Sequence, residues 1–131
     1  MWGSSDSASE LQEGGPMKDL EEVREKVAEF ALERDWDKFH SPKNLAMALS
    51  VEAAELVEAF QWLTEAQSSN LSSDQLSAVS HEIADVQVYL VRLADKLGID
   101  ILQAVDEKMR LNAHKYPAAK VRGSAKKYTE Y

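Results

Sequence analysis

Helix-breaking residues are scarce in most of this 131-residue chain. From Met17 onward, Gly occurs only at positions 98 and 123, and Pro only at positions 42 and 117. The long stretches between these positions are rich in Ala, Leu, Glu and Lys, which favour helix over strand. The sequence therefore predicts an all-α fold.

Four helical segments account for the spacing of the apolar residues. We predict them at Asp19 to Arg34, Asn44 to Leu63, Ser73 to Leu97 and about Asp100 to His114. Ser72 and Ser73 are equally suitable starts for the third helix, and Gly98 is a good signal for its end. The polar stretches between the helices, including the one that carries Trp36 and His40, are predicted to be loops.

The first sixteen residues differ from the rest of the chain. They are rich in Ser, Gly and acidic residues and show no apolar period, so we predict a non-native leader or a disordered tail. Residues 17–131 then form a single domain. No stretch is long and apolar enough to span a membrane, and Cys is absent. A cytoplasmic location is the simplest expectation.

Charge argues against a nucleic-acid partner, because the chain has a formal net charge of −8. Basic residues nevertheless concentrate near the C-terminus, where residues 108–127 include seven Lys or Arg and no acid. This segment is a candidate binding site for a small polyanion. A solvated basic tail is the competing interpretation.

One part of the third helix is apolar on almost every side. Residues 86–91 read Val-Gln-Val-Tyr-Leu-Val, and a helix of this kind requires burial all round. A domain of about 115 residues offers little room for such burial. The segment therefore predicts a homo-oligomer.

Acidic residues fall where apolar residues are expected. Glu52 lies three residues after Leu49 and four before Leu56, in the middle of the second helix's apolar stripe. Glu55 lies beside it. On the third helix, Glu82 and Asp85 share a ridge with Tyr89. Carboxylates on a buried face are costly unless they are paired or bind a cation.

A divalent cation would account for these four acids. Oxygen ligands without Cys or clustered His favour Mg²⁺, with Mn²⁺ as a substitute, over Zn²⁺. A single E-x-x-E or E-x-x-D pair is common on solvated helix faces, but two pairs with one acid inside an apolar stripe favour a site. A diiron bundle would require Glu-x-x-His pairs, which the three His residues do not supply.

These residues resemble those of the MazG-like, all-α nucleoside triphosphate pyrophosphatases. Glu52-x-x-Glu55, 26 further residues and Glu82-x-x-Asp85 are similar to that family's E-x-x-E…E-x-x-D signature. Residues 33–40, 60–62 and 126–130 also resemble the short, single-domain branch that includes the dCTP pyrophosphatases. The similarity extends from Leu20 to Glu130. One departure is Val27, where the vertebrate dCTP enzymes carry His.

The resemblance implies a four-helix MazG-like protomer, a tetramer built as a dimer of dimers, and release of pyrophosphate from a (d)NTP, such as dCTP, in house-cleaning of the nucleotide pool. It implies that Glu52, Glu55, Glu82 and Asp85 are the catalytic, Mg²⁺-binding residues. Lys108, Asn112, Lys115 and Tyr116 are the implied phosphate-binding residues, to which we add Lys126 and Lys127 of the basic tail. Trp36, His40, Asn44, Trp62 and Tyr89 would surround the base and sugar.

The residues also limit the mechanism. The chain has no Walker-type Gly-rich loop and no Ser-His or Cys-His arrangement, so we predict direct attack by a water that the metal activates. Glu55 is our candidate for holding or deprotonating that water, with Lys108 and Lys115 stabilising the departing pyrophosphate. The alternative is a non-catalytic helical oligomer that binds nucleotide or a protein partner. A dUTPase-like all-α enzyme would share the chemistry and differ in choosing uracil.

Overall fold

The computed structural model describes residues 15–124, and all its regular elements are helical. The helices are α1 (Leu20–Glu33), α2 (Pro42–Glu58), α3 (Glu65–Ser68), α4 (Ser73–Leu97), α5 (Ile101–Lys115) and α6 (Ala118–Val121). A short 3₁₀ turn, Asp37–Phe39, lies between α1 and α2. The all-α prediction is confirmed. Residues 1–14 of the predicted leader lie outside the described part of the chain.

The chain divides into two compact units, Met1–Gly98 and Ile99–Tyr131. In the first unit, α2 and α4 form the most extensive helix pair, and α1 also packs on α4. The buried apolar side chains of this unit come from all three helices: Val27, Phe30, Ala31, Leu45, Val79, Tyr89 and Val91. The second unit contains α5 and α6.

Local sequence signals explain most helix ends. Ser72 accepts a hydrogen bond from the Gln75 backbone N–H at 3.2 Å, and the Gln75 side chain accepts one from the Ser72 N–H at 2.9 Å. This capping box satisfies backbone donors that the first turn of α4 leaves free. It selects Ser72, not Ser73, as the cap. Asp100 caps α5 in a similar way through the Gln103 N–H at 3.1 Å.

The predicted end of the second helix is wrong, because α2 ends at Glu58 and not at Leu63. The Phe60 N–H bonds to the Val57 carbonyl at 2.9 Å, and the Leu63 N–H bonds to that of Phe60 at 2.9 Å. These three-residue bonds tighten the backbone into turns. Thr64 then adopts an extended conformation to cap α3, a helix that the sequence did not predict. Trp62 consequently lies in the turn after α2.

Gly98 ends α4 in the left-handed conformation, with φ of 67°. A Cβ at this position would meet no atom within 4 Å, so the backbone alone opposes a side chain there. We expect Gly98→Ala to lower the free energy of unfolding by about 1 kcal/mol. Urea denaturation measures this change. Gly98→Asn is the control and should lose less, because Asn tolerates the left-handed region; equal losses would contradict the explanation.

Within residues 15–124, no helix combines the length and hydrophobicity that crossing a bilayer requires.

Candidate metal centre

Three carboxylates from α2 and α4 meet in the first unit. Each of Glu52, Glu82 and Asp85 offers a carboxylate oxygen, and these oxygens lie within 4.8 Å of one another. Glu52 is 9% exposed, and the other two are half-buried. The predicted placement of Glu52 inside the apolar face of α2 is thus confirmed. The separation is short enough for the three oxygens to share one cation.

Glu55 lies at the exposed edge of this cluster. Its carboxyl group is close enough to hydrogen-bond with Glu52 and with Glu82, and its charge also acts on Asp85. All four predicted acids are therefore neighbours. We call Glu52, Glu55, Glu82 and Asp85 the acid cluster.

Within the cluster, the pKa of Glu52, of Glu82 and of Asp85 is raised. Burial is the largest cause for Glu52, followed by the hydrogen bond to Glu55 and the charges of its acidic neighbours, and together they raise the pKa of Glu52 to about 7. Burial and neighbouring carboxylates also raise the pKa of Glu82 and of Asp85. Burial and neighbouring like charges both disfavour the ionised carboxylate.

Two oxygens in the cluster lack a hydrogen-bond partner. Oε2 of Glu52 and Oε2 of Glu82 are both buried and unpaired. A buried carboxylate oxygen without a donor carries a large desolvation cost. Both residues belong to the group that could hold a metal, and oxygen ligands suit hard divalent ions. The residues present therefore fit a divalent cation.

Sequence reasoning missed two neighbours of the cluster. Glu58 is exposed, and its charge contributes to the raised pKa of Glu82. His81 acts in the opposite direction and lowers the pKa of Asp85. Glu58 continues the Glu52–Glu55 spacing by another three residues, which is the signal that could have identified it.

The residues predicted to contact base and sugar occupy different environments. Trp62 is 87% exposed, so its ring is not part of the core. Trp36 is half-buried and packs edge-on against Phe30, with ring centroids 5.7 Å apart. Asn44 is exposed in the first turn of α2. His40 and Tyr89, by contrast, are only 1% and 2% exposed.

The predicted phosphate-binding residues belong to the second unit. Lys108, Asn112 and Lys115 lie on α5 at spacings of four and three residues, so they share one face of that helix. Tyr116 follows as the C-terminal cap residue. Lys126 and Lys127 lie outside the described residues.

His40 should make the stability of the protein depend on pH. Burial is the main cause that lowers its pKa, and the charges of Arg92 and Lys96 add to it. The folded state therefore disfavours the protonated ring, so the contribution of His40 to stability is complete above the unfolded-state pKa of about 6.5 and is lost as pH falls toward the lowered pKa of the folded state. Chemical denaturation measures the free energy of unfolding across this range. The decrease that His40 causes as pH falls should be absent from His40→Asn. Equal acid dependence in both proteins would contradict the assignment.

The fold and the cluster together define an all-helical protein with a candidate carboxylate cation site. The sequence profile of the MazG-like family matches residues 47–131. The chain belongs to this family.

Named relatives agree with this assignment. The chain is 44% identical over 117 residues to dCTP pyrophosphatase 1 of Homo sapiens, and the matched region covers 88% of this chain and 69% of the human protein. The same protein of Mus musculus gives the same identity and coverage. A pyrophosphatase of Archaeoglobus fulgidus has a similar structure, with a TM-score of 0.64 and 40% identity over 78% of this chain and 95% of that one.

Proposed function

We propose that this chain is a Mg²⁺-dependent nucleoside triphosphate pyrophosphatase that converts dCTP or a related dNTP into the monophosphate and pyrophosphate. The observation that carries the proposal is the acid cluster, with three carboxylate oxygens within 4.8 Å and two buried oxygens unpaired. The similarity to proteins named dCTP pyrophosphatase and pyrophosphatase supports the reaction.

Glu52, Glu82 and Asp85 would hold the cation, with Glu55 at the edge of the same group. A bound Mg²⁺ or Mn²⁺ would neutralise phosphate oxygens and lower the pKa of an attacking water. The carboxylates themselves repel a polyanion, so without a cation the cluster opposes triphosphate binding. Arg92 of α4 does not neutralise the cluster, because its guanidinium donates hydrogen bonds to Asp37, His40 and Asp95 instead.

Glu55 is the proposed proton acceptor. It is the exposed member of the cluster, so water and substrate can reach its carboxylate, whereas Glu52 is buried. A carboxylate at this edge can orient a water molecule by accepting its hydrogen bond and can take its proton. The departing pyrophosphate would be stabilised by Lys108 and Lys115 on α5, with Asn112, Tyr116, Lys126 and Lys127 as further phosphate contacts.

The proposed base and sugar contacts are Trp36, Asn44 and Trp62, while His40 and Tyr89, only 1% and 2% exposed, would support the site from the interior. Trp62 is the best placed of these for stacking, since an 87% exposed indole has a free face. Base–aromatic stacking contributes about 1–3 kcal/mol per base. Trp62→Ala should therefore weaken nucleotide binding by about ten-fold or more.

Pyrophosphate release from a panel of common and modified dNTPs with Mg²⁺ tests the proposed reaction. We expect release with dCTP or a related dNTP, and loss of about 10²-fold or more in kcat for Glu55→Gln. Glu29→Gln, an exposed acid on α1, is the matched control and should retain full activity. Tight nucleotide binding without turnover would favour the non-catalytic alternative. The panel also reports on base preference, since Val27 replaces the His of the vertebrate dCTP enzymes.

We also propose that the chain assembles as a tetramer, a dimer of dimers. Leu76, Ile83, Leu90 and Leu97 recur every seven residues along one face of α4, and each is at least 41% exposed. A regular apolar face of this kind is typical of a helix that packs against another helix.

Light scattering coupled to size exclusion tests the assembly with a charge placed on that face. Ile83→Lys should lower the oligomer mass, because a buried ammonium in a helix interface is costly. Ser77→Lys, an exposed position of α4 outside that face, is the control. A monomeric parent protein, or an unchanged mass in Ile83→Lys, would contradict the proposal.

A further inference from the structure

Arg92 is a buried cation that the proposed reaction does not use. It lies on α4 about two turns after Asp85, and its side chain is 5% exposed. Its nitrogens donate to Asp37 Oδ1 at 2.6 Å, His40 Nδ1 at 3.1 Å and Asp95 Oδ2 at 3.3 Å. Two of these partners lie more than fifty residues away in sequence, on the connection between α1 and α2.

His40 serves Arg92 as an acceptor. Because the Arg92 Nε–H points at Nδ1, the imidazole is neutral and carries its proton on Nε2. The surrounding burial and cations favour this neutral form. The ring is 1% exposed, so its packing is with the protein interior.

Asp37 receives a second cation from α4. Lys96 donates to the same Oδ1 that Arg92 contacts. Asp95, the third partner of Arg92, also binds Arg24 of α1 at 3.3 Å. Through these contacts, α1, the 3₁₀ turn and α4 are joined by alternating charges.

The connection held in this way is a hydrogen-bonded segment, Trp36–Asn44. The His40 N–H donates to the Asp37 carbonyl at 3.0 Å, and the Asn44 side chain donates to the Phe39 carbonyl at 3.0 Å. Trp36 begins the segment against Phe30. Both ends therefore carry residues proposed to contact the nucleotide, and the middle is anchored to Arg92.

We propose that Arg92 is a positioning residue that holds the Trp36–Asn44 segment in its nucleotide-binding arrangement. This inference rests on the proposed function for the identity of the ligand. Arg92 acts through Asp37 and His40, and its hydrogen bonds to Asp37, His40 and Asp95 involve no member of the acid cluster. Its loss should therefore weaken nucleotide binding and leave the affinity of the acid cluster for metal unchanged.

The geometry requires Arg at this position. A guanidinium presents several donors in a planar fork, whereas an ammonium is a single point on a flexible stem. Lys at position 92 would keep the charge but could not reach Asp37, His40 and Asp95 together. Arg92→Lys therefore distinguishes the effect of the donor geometry from the effect of the positive charge.

Equilibrium binding of a non-hydrolysable dCTP analogue, with an imido group between the α and β phosphates, tests the inference without turnover. With Mg²⁺ present, we expect Kd to rise about ten-fold in Arg92→Lys and in Arg92→Met, as when the competent arrangement falls to about a tenth of the population. Mn²⁺ affinity without nucleotide should stay within about two-fold, and hydrogen exchange of the Trp36–Asn44 peptide should accelerate.

Two further variants serve as controls. Arg24→Met removes the outer cation of the same network and should leave Kd within about two-fold, since Arg24 does not touch the segment. His40→Asn places an acceptor near the position of Nδ1 and should retain more affinity than His40→Leu. This pair keeps the test valid if Arg92→Met fails to fold.

The outcomes are distinct. An unchanged Kd in folded Arg92→Lys, or a parallel loss of nucleotide and metal binding in proportion to the unfolded fraction, would overturn the positioning role. A parent protein that does not bind the analogue would overturn it as well. A parent protein that binds the analogue but releases no pyrophosphate from any dNTP would contradict the proposed reaction and leave this inference intact.

Discussion

Glu52→Gln should abolish pyrophosphate release while making the metal-free protein more stable. The substitution removes a central ligand of the acid cluster, and losing several kcal/mol of charge stabilisation corresponds to about 10³-fold or more in rate. It also removes the carboxylate that carries the highest cost of ionisation in the cluster, whose pKa is raised to about 7. Activity and stability therefore change in opposite directions.

The sign of the stability effect follows from the raised pKa. The folded state favours the protonated carboxyl, so in the metal-free protein this contribution to stability is lost as pH rises from about 4.5 to about 7. Above that range the ionised group costs about 1–3 kcal/mol. Gln has nearly the same shape and no charge, so it removes this cost.

Denaturation with a chelator present, near pH 8, measures the gain, and a pyrophosphate assay measures the loss. Glu29→Gln is the control for removing one negative charge from an exposed helix face, and it should change neither quantity appreciably. A Glu52→Gln protein that is less stable than the parent without metal would contradict the account of a strained acid cluster.

The affinity of the cluster for metal should fall steeply as pH decreases. Glu52 must lose its proton to ligate a cation, and a single group with a pKa near 7 reduces affinity about 25-fold between pH 7.5 and pH 5.5. The raised pKa of Glu82 and of Asp85 can only add to this effect. Binding should also release protons in this range.

Calorimetric titration with Mn²⁺ in buffers of different ionisation enthalpy reports both affinity and proton release. Arg92→Lys serves as the control, because its network is separate from the cluster, and it should show the parent's pH dependence. An affinity that is constant between these pH values would contradict the prediction, because it would mean that Mn²⁺ binding does not require the cluster to lose protons.

Local sequence patterns predicted the parts of the fold that depend on local physics. The period of the apolar residues and the caps located α1, α4 and α5 to within one or two residues. The same period placed Glu52 on the inner face of α2, which the structure confirms. Such signals are readable because side chains three and four residues apart share a helix face.

Contacts between distant residues were not readable in this way. The family resemblance implied that His40 contacts base or sugar, but its burial against Arg92 depends on a partner 52 residues away. The end of α2 was missed because Phe60, Trp62 and Leu63 continue a helical apolar pattern, while the backbone turns to let Thr64 start α3. No local pattern encodes the contact of His40 with Arg92, whereas the Thr64-x-x-Gln67 capping box is a local signal that could have marked the start of α3.

Crystals grown with Mn²⁺ and measured at the metal's absorption edge would locate the cation among the carboxylates of the acid cluster. We expect an anomalous-difference peak coordinated by the carboxylates of Glu52, Glu82 and Asp85, with Glu55 beside it. Ordered Mn²⁺ elsewhere with none at these side chains, or carboxylates turned apart into solvent, would contradict this expectation.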